Sequence, residues 1–357
     1  MPSALHSTGL VFVAIVAISL LVIVHEFGHY LVARAFGMRV LTYSIGFGPV
    51  LARWRPRGSE TVFQIAAIPL LAYVQVAGMN PREANDPTDR GSYQNASALA
   101  RFLMVAAGPV ANYLAACVAL FALFVAGGET FTSPAQIGAL MPDAPAAAAG
   151  LLPGDIVRQI DGRPVTAWDE LLRLTRESEG RTMALRVQRA GRAIDLRVTP
   201  RMNREQHRYM IGVAMPYRPI PLGRSIESAL VQPALGAVEI VRNIPLLVQH
   251  KSNVRFVSPV GIVSEGVQAA RQGWRDALFW IVTISLSLAI FNLVPIPALD
   301  GGRMVVLAYE IVTGRRPNPN VEAQVTGYSL VLMLGLFLFV MSRDIFGLIT
   351  SWLHART

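Results

Sequence analysis

The chain has one cysteine, Cys117, among its 357 residues. That excludes an intramolecular disulfide and any zinc site built on thiolates, and the apolar run around Cys117 makes it a packing residue. Charge is scarce too: Asp, Glu, Lys and Arg make up 15% of the chain against 53% hydrophobic residues, and the mean hydropathy is positive. This is the balance of a membrane protein, with the charged residues clustered. The formal charge of +9 comes with no RNA- or DNA-binding motif, which excludes nucleic acid as a partner. Many arginines instead flank apolar segments, where the anionic head groups of a lipid bilayer attract them. The first residues lack the positively charged n-region and A-x-A-like cleavage site of a secretory leader, so the apolar run 10–24 is expected to stay as a permanent span.

Four segments are long and apolar enough to cross a bilayer: 8–32, 102–126, 277–294 and 324–341. Arg34, Arg39, Arg53, Arg55 and Arg57 follow the first span, and this short-loop basic excess places the loop in the cytoplasm. The segment between spans two and three is then outside, and Arg303, Arg315 and Arg316 return inside. Arg343 and Arg356 disagree, since this count puts them outside, but the inner loops are the more basic.

Within the first span stands VIVHEFGHYLVARA, from Val22 to Ala35. On a helix His25 and His29 lie one turn apart on one face and can share a metal ion, while Glu26 reaches water on its open side, the H-E-x-x-H pattern of zinc hydrolases. The alternative, two core histidines and a satisfied glutamate, is disfavoured because ionisable groups inside a span are costly; translocon scales give about 2.5–3.5 kcal/mol for a central Asp, Lys or Arg.

Between the first two spans the helical period stops. Stretches 40–50 and 61–76 read as β segments around the turn-rich tip 53–58, a membrane-associated hairpin spanning 40–76. Its edge offers unpaired N–H and C=O groups to an extended peptide, the device a protease needs to hold open a chain that would otherwise be helical; a hairpin that only anchors is the other reading. Residues 81–96 form a polar linker. The second span opens with Gly108-Pro109-Val110-Ala111-Asn112, whose small residues allow close approach to the first span and whose Asn112 can hydrogen-bond across a bundle, or to the hairpin or substrate.

From 134 to 217 the composition becomes that of a soluble domain. The runs AGLLPGDIV (149–157) and IDGRPV (160–165) resemble the centre of a PDZ domain, with strands at Met183–Arg189 and 194–199 and a helix at Trp168–Glu177. A PDZ peptide lies as an added strand between an edge strand and a helix, here 136–141 and Trp168–Glu177; a spacer that binds no peptide is the alternative. Residues 221–250 carry apolar residues at near-helical spacing, read as an amphipathic helix on the outer membrane face.

The third span ends in NLVPIPALDGGR, residues 292–303. Two prolines so close force the chain to unwind, which is tolerated where backbone lines a cavity. Asp300 follows, then two glycines. Its carboxylate is a candidate third ligand that completes a His₂-carboxylate zinc site with one open position; the alternative is a plain N-cap for a helix over 301–313.

In this order, HEFGH (25–29), IPL (68–70), GPVAN (108–112), the PDZ-like centre, SPVGI (258–262) and NLVPIPALDGG (292–302) closely resemble the site-2 protease family of intramembrane zinc metalloproteases, in its bacterial branch with a single PDZ domain. The resemblance implies that His25, His29 and Asp300 hold Zn2+, that Glu26 is the catalytic base, and that Asn292 assists at the site or holds substrate. Ile68, Tyr73, Asn112, Gly138 and Leu140 are candidate substrate contacts. It also implies single-span membrane proteins as substrates, such as anti-sigma factors already trimmed by a site-1 protease, or remnant signal peptides, and a bacterial cytoplasmic membrane location with the PDZ-like domain outside and the site towards the cytoplasm. Two positions depart from the pattern: Leu71-Ala72 replace a usual glycine pair, and Ser258 replaces a glycine.

The expected architecture is a multi-span α-helical membrane protein of about four transmembrane helices, with the β-hairpin and an inserted α+β PDZ-like domain. Its parts are 1–126, 127–217 (PDZ-like), 218–276 (juxtamembrane) and 277–357. A catalytically silent PDZ scaffold and a metal transporter are the rivals. The first has no need of Glu26 and three ligands, and the second generally shows internal repeats, which this chain lacks.

Overall fold

The computed structural model describes residues 2–80, 86–130, 133–141, 143–203, 208–248 and 259–354. Ser258, Arg356, His250 and the first part of the linker, 81–85, lie outside them. In chain order the elements are α1 (Pro2–Ala35), β1 (Val40–Trp54), β2 (Val62–Val76), α2 (Ala98–Gly127), β3 (Glu129–Thr130), β4 (Ala139–Leu140), α3 (Pro145–Ala148), β5 (Ile156–Ile160), β6 (Arg163–Pro164), α4 (Trp168–Glu177), β7 (Met183–Arg189) and β8 (Arg192–Val198). They continue with β9 (Arg201–Asn203), β10 (Arg208–Met210), β11 (Val213–Ala214), β12 (Tyr217–Arg218), α5 (Leu222–Val248), α6 (Pro259–Gln272), α7 (Trp274–Leu293), α8 (Asp300–Thr313) and α9 (Pro319–His354). They group into two compact units, Met1–Phe121 with Ile226–Thr357, and Ala122–Ser225. The second is wider at both ends than the expected 127–217.

Among the described residues of the first unit, four helices are long and apolar enough to cross a membrane: Thr8–Ala35, Ala98–Gly127, Trp274–Leu293 and Asn320–Ser342. α1 and α2 meet backbone to backbone. A Cβ on Gly28 would strike the carbonyl of Ala107, and one on Gly108 would strike the rings of His25 and His29. These two glycines therefore set the helix separation, as small residues do where lipid supplies no hydrophobic drive. Between Leu293 and Asp300 the chain unwinds at Pro295 and Pro297, as their missing N–H groups require. The first turn of α8 folds back onto that segment: a Cβ on Gly301 would meet the carbonyls of Leu293 and Val294, and one on Gly302 that of Ile296.

The hairpin is more folded than the sequence suggests. β1 runs to Trp54 and bends at Gly46 and Gly48, both at positive φ (95° and 90°). Its first half is flanked twice by β2: Tyr43 pairs with Phe63 and Val74, Ser44 with Gln64 and Tyr73. Its second half pairs with 63–66, so residues 72–75 form an outer edge. The reason is local: with positive-φ glycines at 46 and 48 the chain turns where a plain arm of 40–50 would run straight. The Tyr43 hydroxyl donates to Ile23 O (2.8 Å), and the rings of Tyr30, Tyr43, Phe63 and Trp54 touch in succession, edge to face, tilted and stacked, fixing the hairpin to α1.

The juxtamembrane stretch is two helices. α5 was expected; α6 was not, because its polar residues break the apolar run. It packs on α1 and α7, with Gly266 against the ring of Trp280.

The second unit has an antiparallel sheet in the order β6-β5-β7-β8, with α4 packed on it through Trp168, Leu171 and Leu174. Each such buried side chain contributes about 1.5–3 kcal/mol, so this unit has a core of its own. α4 is started by Glu170, whose carboxylate accepts from the N–H groups of Thr166 (2.6 Å) and Ala167 (3.2 Å). The expected groove strand is placed differently. Segment 136–141 is closed on both sides, by Ala214 and Gly212 and by Asp155 and Gly154, so it has no free edge for a peptide. The stretch beside α4 is Arg208–Val213, which forms a narrow cleft with Leu171, Leu172, Thr175 and Arg176. Gly138 lies with no room for a side chain, against Met215 and Pro216, and Leu140 packs on the core, so neither faces that cleft.

Asp155 is fully buried and accepts from Arg189 Nε and Nη2 (both 2.7 Å) and from Leu152 N–H (2.9 Å). Burial raises its pKa, but the hydrogen bonds from Arg189 and Leu152 and the Arg189 charge outweigh this and hold the carboxyl below its usual value. A depressed carboxyl stabilises the fold above its unfolded pKa, about 3.9, and loses that stabilisation as pH falls through the folded value. Amide exchange of the full chain should therefore show unit 122–225 equally protected at pH 7 and 5. Asp155→Asn should cost about 3 kcal/mol of that protection at pH 7.

Candidate metal centre

α1 carries His25 and His29 one turn apart, both more than nine-tenths buried, with their rings edge to face. Asp300 reaches them from the start of α8. Its Oδ2 is 3.0 Å from His25 Nε2 and 3.4 Å from His29 Nε2, and the two Nε2 atoms are 3.2 Å apart. The N-cap of α8 is Leu299, and no side-chain bond caps the helix, so Asp300 is not a mere cap. A tetrahedral ion with ligand bonds of about 2.0–2.1 Å places its ligand atoms roughly 3.3 Å apart, the spacing these three donors show. Among the described residues they are the one His/Cys/Asp/Glu group with metal-site spacing.

The second nitrogen of each ring is also engaged. His29 Nδ1 donates to Met104 O (2.8 Å), which leaves Nε2 as a lone pair aimed at the other donors. His25 Nδ1 lies 3.2 Å from the Asn112 amide, which is fully buried and whose Oδ1 has no hydrogen-bond partner. A half-turn of that amide gives Oδ1 the Nδ1–H of His25 and turns a lone pair on His25 Nε2 towards Asp300. Ser285 Oγ donates to Asn112 O (2.8 Å) and fixes the backbone behind it. Asn112 therefore serves the histidine and is closed off from substrate. Its spacing of four residues from Gly108, the residue under the rings, is the sequence signal that points to this role.

A cavity of about 250 Å³ opens on the donors, lined by Glu26, Tyr73, Val74, Met104, Val105, Asn292, Leu299 and Arg303 among others. Glu26 accepts from the backbone of Val74 on the outer edge of the sheet. Tyr73 is in the cavity wall; its hydroxyl accepts from Gln64 Nε2 (3.0 Å), leaving its own O–H to donate. Asn292 also lines the cavity, with its amide donating to Leu288 O (3.0 Å) one turn back in α7. Ile68 does not line it and is half exposed on β2. The structure thus gathers His25, His29, Asp300, Glu26, Asn292 and Tyr73. It leaves Ile68 outside, puts Asn112 behind the three donors, and holds Gly138 and Leu140 in the other unit.

Residues 13–336 match the profile of peptidase family M50. The chain belongs to this family. It is 33% identical to a Rhizobium meliloti protein named "Putative zinc metalloprotease", over 90% of this chain and 92% of that one. It is 30% identical to Metalloprotease MmpA of Caulobacter vibrioides, over 92% and 93%. A solved PDZ domain of an SdrC-like protein from Listeria monocytogenes is similar to 24% of this chain and 92% of its own, at 17% identity and a TM-score of 0.22. With four helices able to span a bilayer and membership of M50, the chain is an integral membrane protein.

The Asn112 contact is testable as a support for metal ligation. Asn112→Leu should weaken zinc retention about 10–100-fold in competition with a chelator, and Asn112→Asp, which keeps an acceptor for Nδ1–H, should lose much less. Gly302→Ala, which would push α8 off the carbonyl of Ile296, should release zinc through displacement of Asp300. Equal zinc affinity in Asn112→Leu would refute the assignment.

Proposed function

We propose that this M50 metalloprotease is an intramembrane zinc endopeptidase acting on single-span membrane proteins. The observation that carries the reading is the convergence of two imidazole nitrogens and a carboxylate oxygen within 3.0–3.4 Å beside a glutamate, between helices long enough to span a bilayer. His25, His29 and Asp300 would hold the zinc, which supplies a Lewis acid that acidifies water and polarises a carbonyl.

The chain's own groups do the rest. Glu26, held by the Val74 backbone at the cavity wall, takes a proton from water. The water oxygen bonds to the carbonyl carbon, the C–N bond breaks as Glu26 passes the proton to the departing nitrogen, and the water's second proton follows to the amine, giving a carboxylate and an ammonium. Asn292 keeps one amide hydrogen beyond its bond to Leu288 and supports the developing oxyanion, as the Tyr73 hydroxyl also can. The outer edge at 72–75 accepts the substrate as an added strand, which exposes a peptide bond that a helix would hide.

The basic loop after α1 supports an orientation with the site towards the cytoplasm and the 122–225 unit outside, in a bacterial cytoplasmic membrane. There the PDZ-like unit screens substrates by size, favouring those already trimmed outside, such as anti-sigma factors, or remnant signal peptides.

In proteoliposomes, Glu26→Gln should bind zinc at the wild-type ratio and lose at least about 10³-fold in cleavage of a fluorogenic transmembrane peptide. Wild-type turnover by that variant would sink the mechanism. Excision of 134–217 should let full-length and trimmed substrates be cleaved at similar rates; unchanged discrimination would remove the filter.

A further inference from the structure

We propose that Arg303 is the receiving site for the carboxylate that hydrolysis creates at the new C-terminus of the product. The inference rests on the protease reading above and adds a binding group to it. Arg303 stands three residues after Asp300 on α8, so both side chains share a helix face. It lines the catalytic cavity with Asp300 and Glu26, and also lines a larger cavity of about 540 Å³ bounded by Tyr93, Gln94, Arg101, Glu310 and Glu322. With Met79 it therefore forms the wall the two cavities share, and it is the charged residue in that wall.

The guanidinium is half-buried, yet among the described residues no carboxylate or carbonyl holds it. The other arginines of the larger cavity differ: Arg101 and Arg316 both donate to Glu310 Oε1, at 2.6 and 3.0 Å. A planar fork of five donors, partly withdrawn from water and unpaired, is matched to a carboxylate, which it can bind through two parallel hydrogen bonds. A lipid phosphate is the competing anion, but α8 turns another stripe outward: Val305, Tyr309 and Val312 are exposed, while Arg303, Val306, Leu307 and Glu310 line the larger cavity.

Hydrolysis makes a carboxylate beside Asp300, a residue that repels it. Arg303 offers the unpaired positive charge in the same wall and leads away from the ligands into the second cavity. Arg303 thus draws the product's acidic end off the site and clears it for the next chain.

The test uses full-length, zinc-loaded Glu26→Gln protein in nanodiscs, so that binding is read without turnover. The probe is a fluorescein-labelled apolar hexapeptide, prepared with a free C-terminal carboxylate and as its C-terminal amide. The acid should bind about tenfold more tightly than the amide. Adding Arg303→Met should cut that preference below about twofold with zinc content unchanged, and Arg303→Lys should leave an intermediate preference. If the Met variant fails to retain zinc, Arg303→Gln takes its place under the same criterion. An acid preference that survives in these variants assigns carboxylate recognition to the metal and overturns the proposal, as does equal binding of acid and amide in the parent. Exchange of phosphatidylglycerol for phosphatidylcholine should leave the preference intact; a preference that follows the lipid makes Arg303 a head-group contact and overturns it too. Cleavage by the wild-type protein is measured separately, so failure of the protease reading shows as absent turnover with the acid preference still present.

Discussion

Three electron-pair donors pointing at one another inside an apolar bundle is the arrangement on which the membrane unit depends. Two imidazole nitrogens 3.2 Å apart with a carboxylate oxygen at 3.0 and 3.4 Å gain little from each other unless a cation or shared proton sits among them. Such a cluster has to be imposed by the backbone. α1 sets the two histidines, α2 is brought against them by Gly28 and Gly108, and α8 is brought in by the break at Pro295 and Pro297 and the close turn at Gly301 and Gly302. Each glycine stands where a single methyl group would meet a carbonyl or a ring.

The bilayer explains why the rest is built as it is. Irregular backbone at membrane depth is tolerated where it lines a protein cavity, and both irregular parts of this unit, the α7–α8 break and the folded hairpin, contribute residues to the same cavity. The hairpin's outer edge runs through Tyr73 and Val74 beside Glu26, so under the proposed mechanism the place where a substrate strand adds is also the place where its carbonyl meets the base. A glutamate in a span is held there by a backbone donor from another element.

Much of this was legible in the residues. H-E-x-x-H states its own spacing, LDGG after two prolines marks the break, and the four apolar segments match the observed helices to within a few residues. What escaped has a physical reason in each case. The sequence points Asn112 only towards packing or substrate, because its partner, His25, lies 87 positions away and only the helix crossing brings them together. α6 carries no clear signal in the sequence because a helix packed on α1 and α7 need not be apolar all round. The groove strand differs from the expected 136–141 because the PDZ-like motifs mark turns and do not tell which segment lies next to α4; the closing stretch 208–213 comes from the far end of the unit. The second bend of the hairpin was hidden for a similar reason, since pairing of Ser44 with both Gln64 and Tyr73 is a long-range fact.

No shared donor joins α2 to α8, so their registration has to be held by another contact. Arg101 at the start of α2 and Glu310 in α8 form a buried pair at 2.6 Å, with Arg316 on the same oxygen and the Tyr93 ring beneath Arg101 at 5.6 Å. Buried ion pairs add little net stability, because desolvation cancels most of the attraction, but they punish any other arrangement by leaving a charge unpaired. That is the property this site needs. Asn112 lies 11 residues beyond Arg101 on α2, and Asp300 lies 10 residues before Glu310 on α8. At 1.5 Å per residue, the pair stands about 16 Å from Asn112 along α2 and about 15 Å from Asp300 along α8, so sliding one helix against the other would misplace Asn112 relative to Asp300 and expose the charge together. The clamp and the ligand set constrain the same displacement from opposite ends, one through charge and the other through coordination geometry.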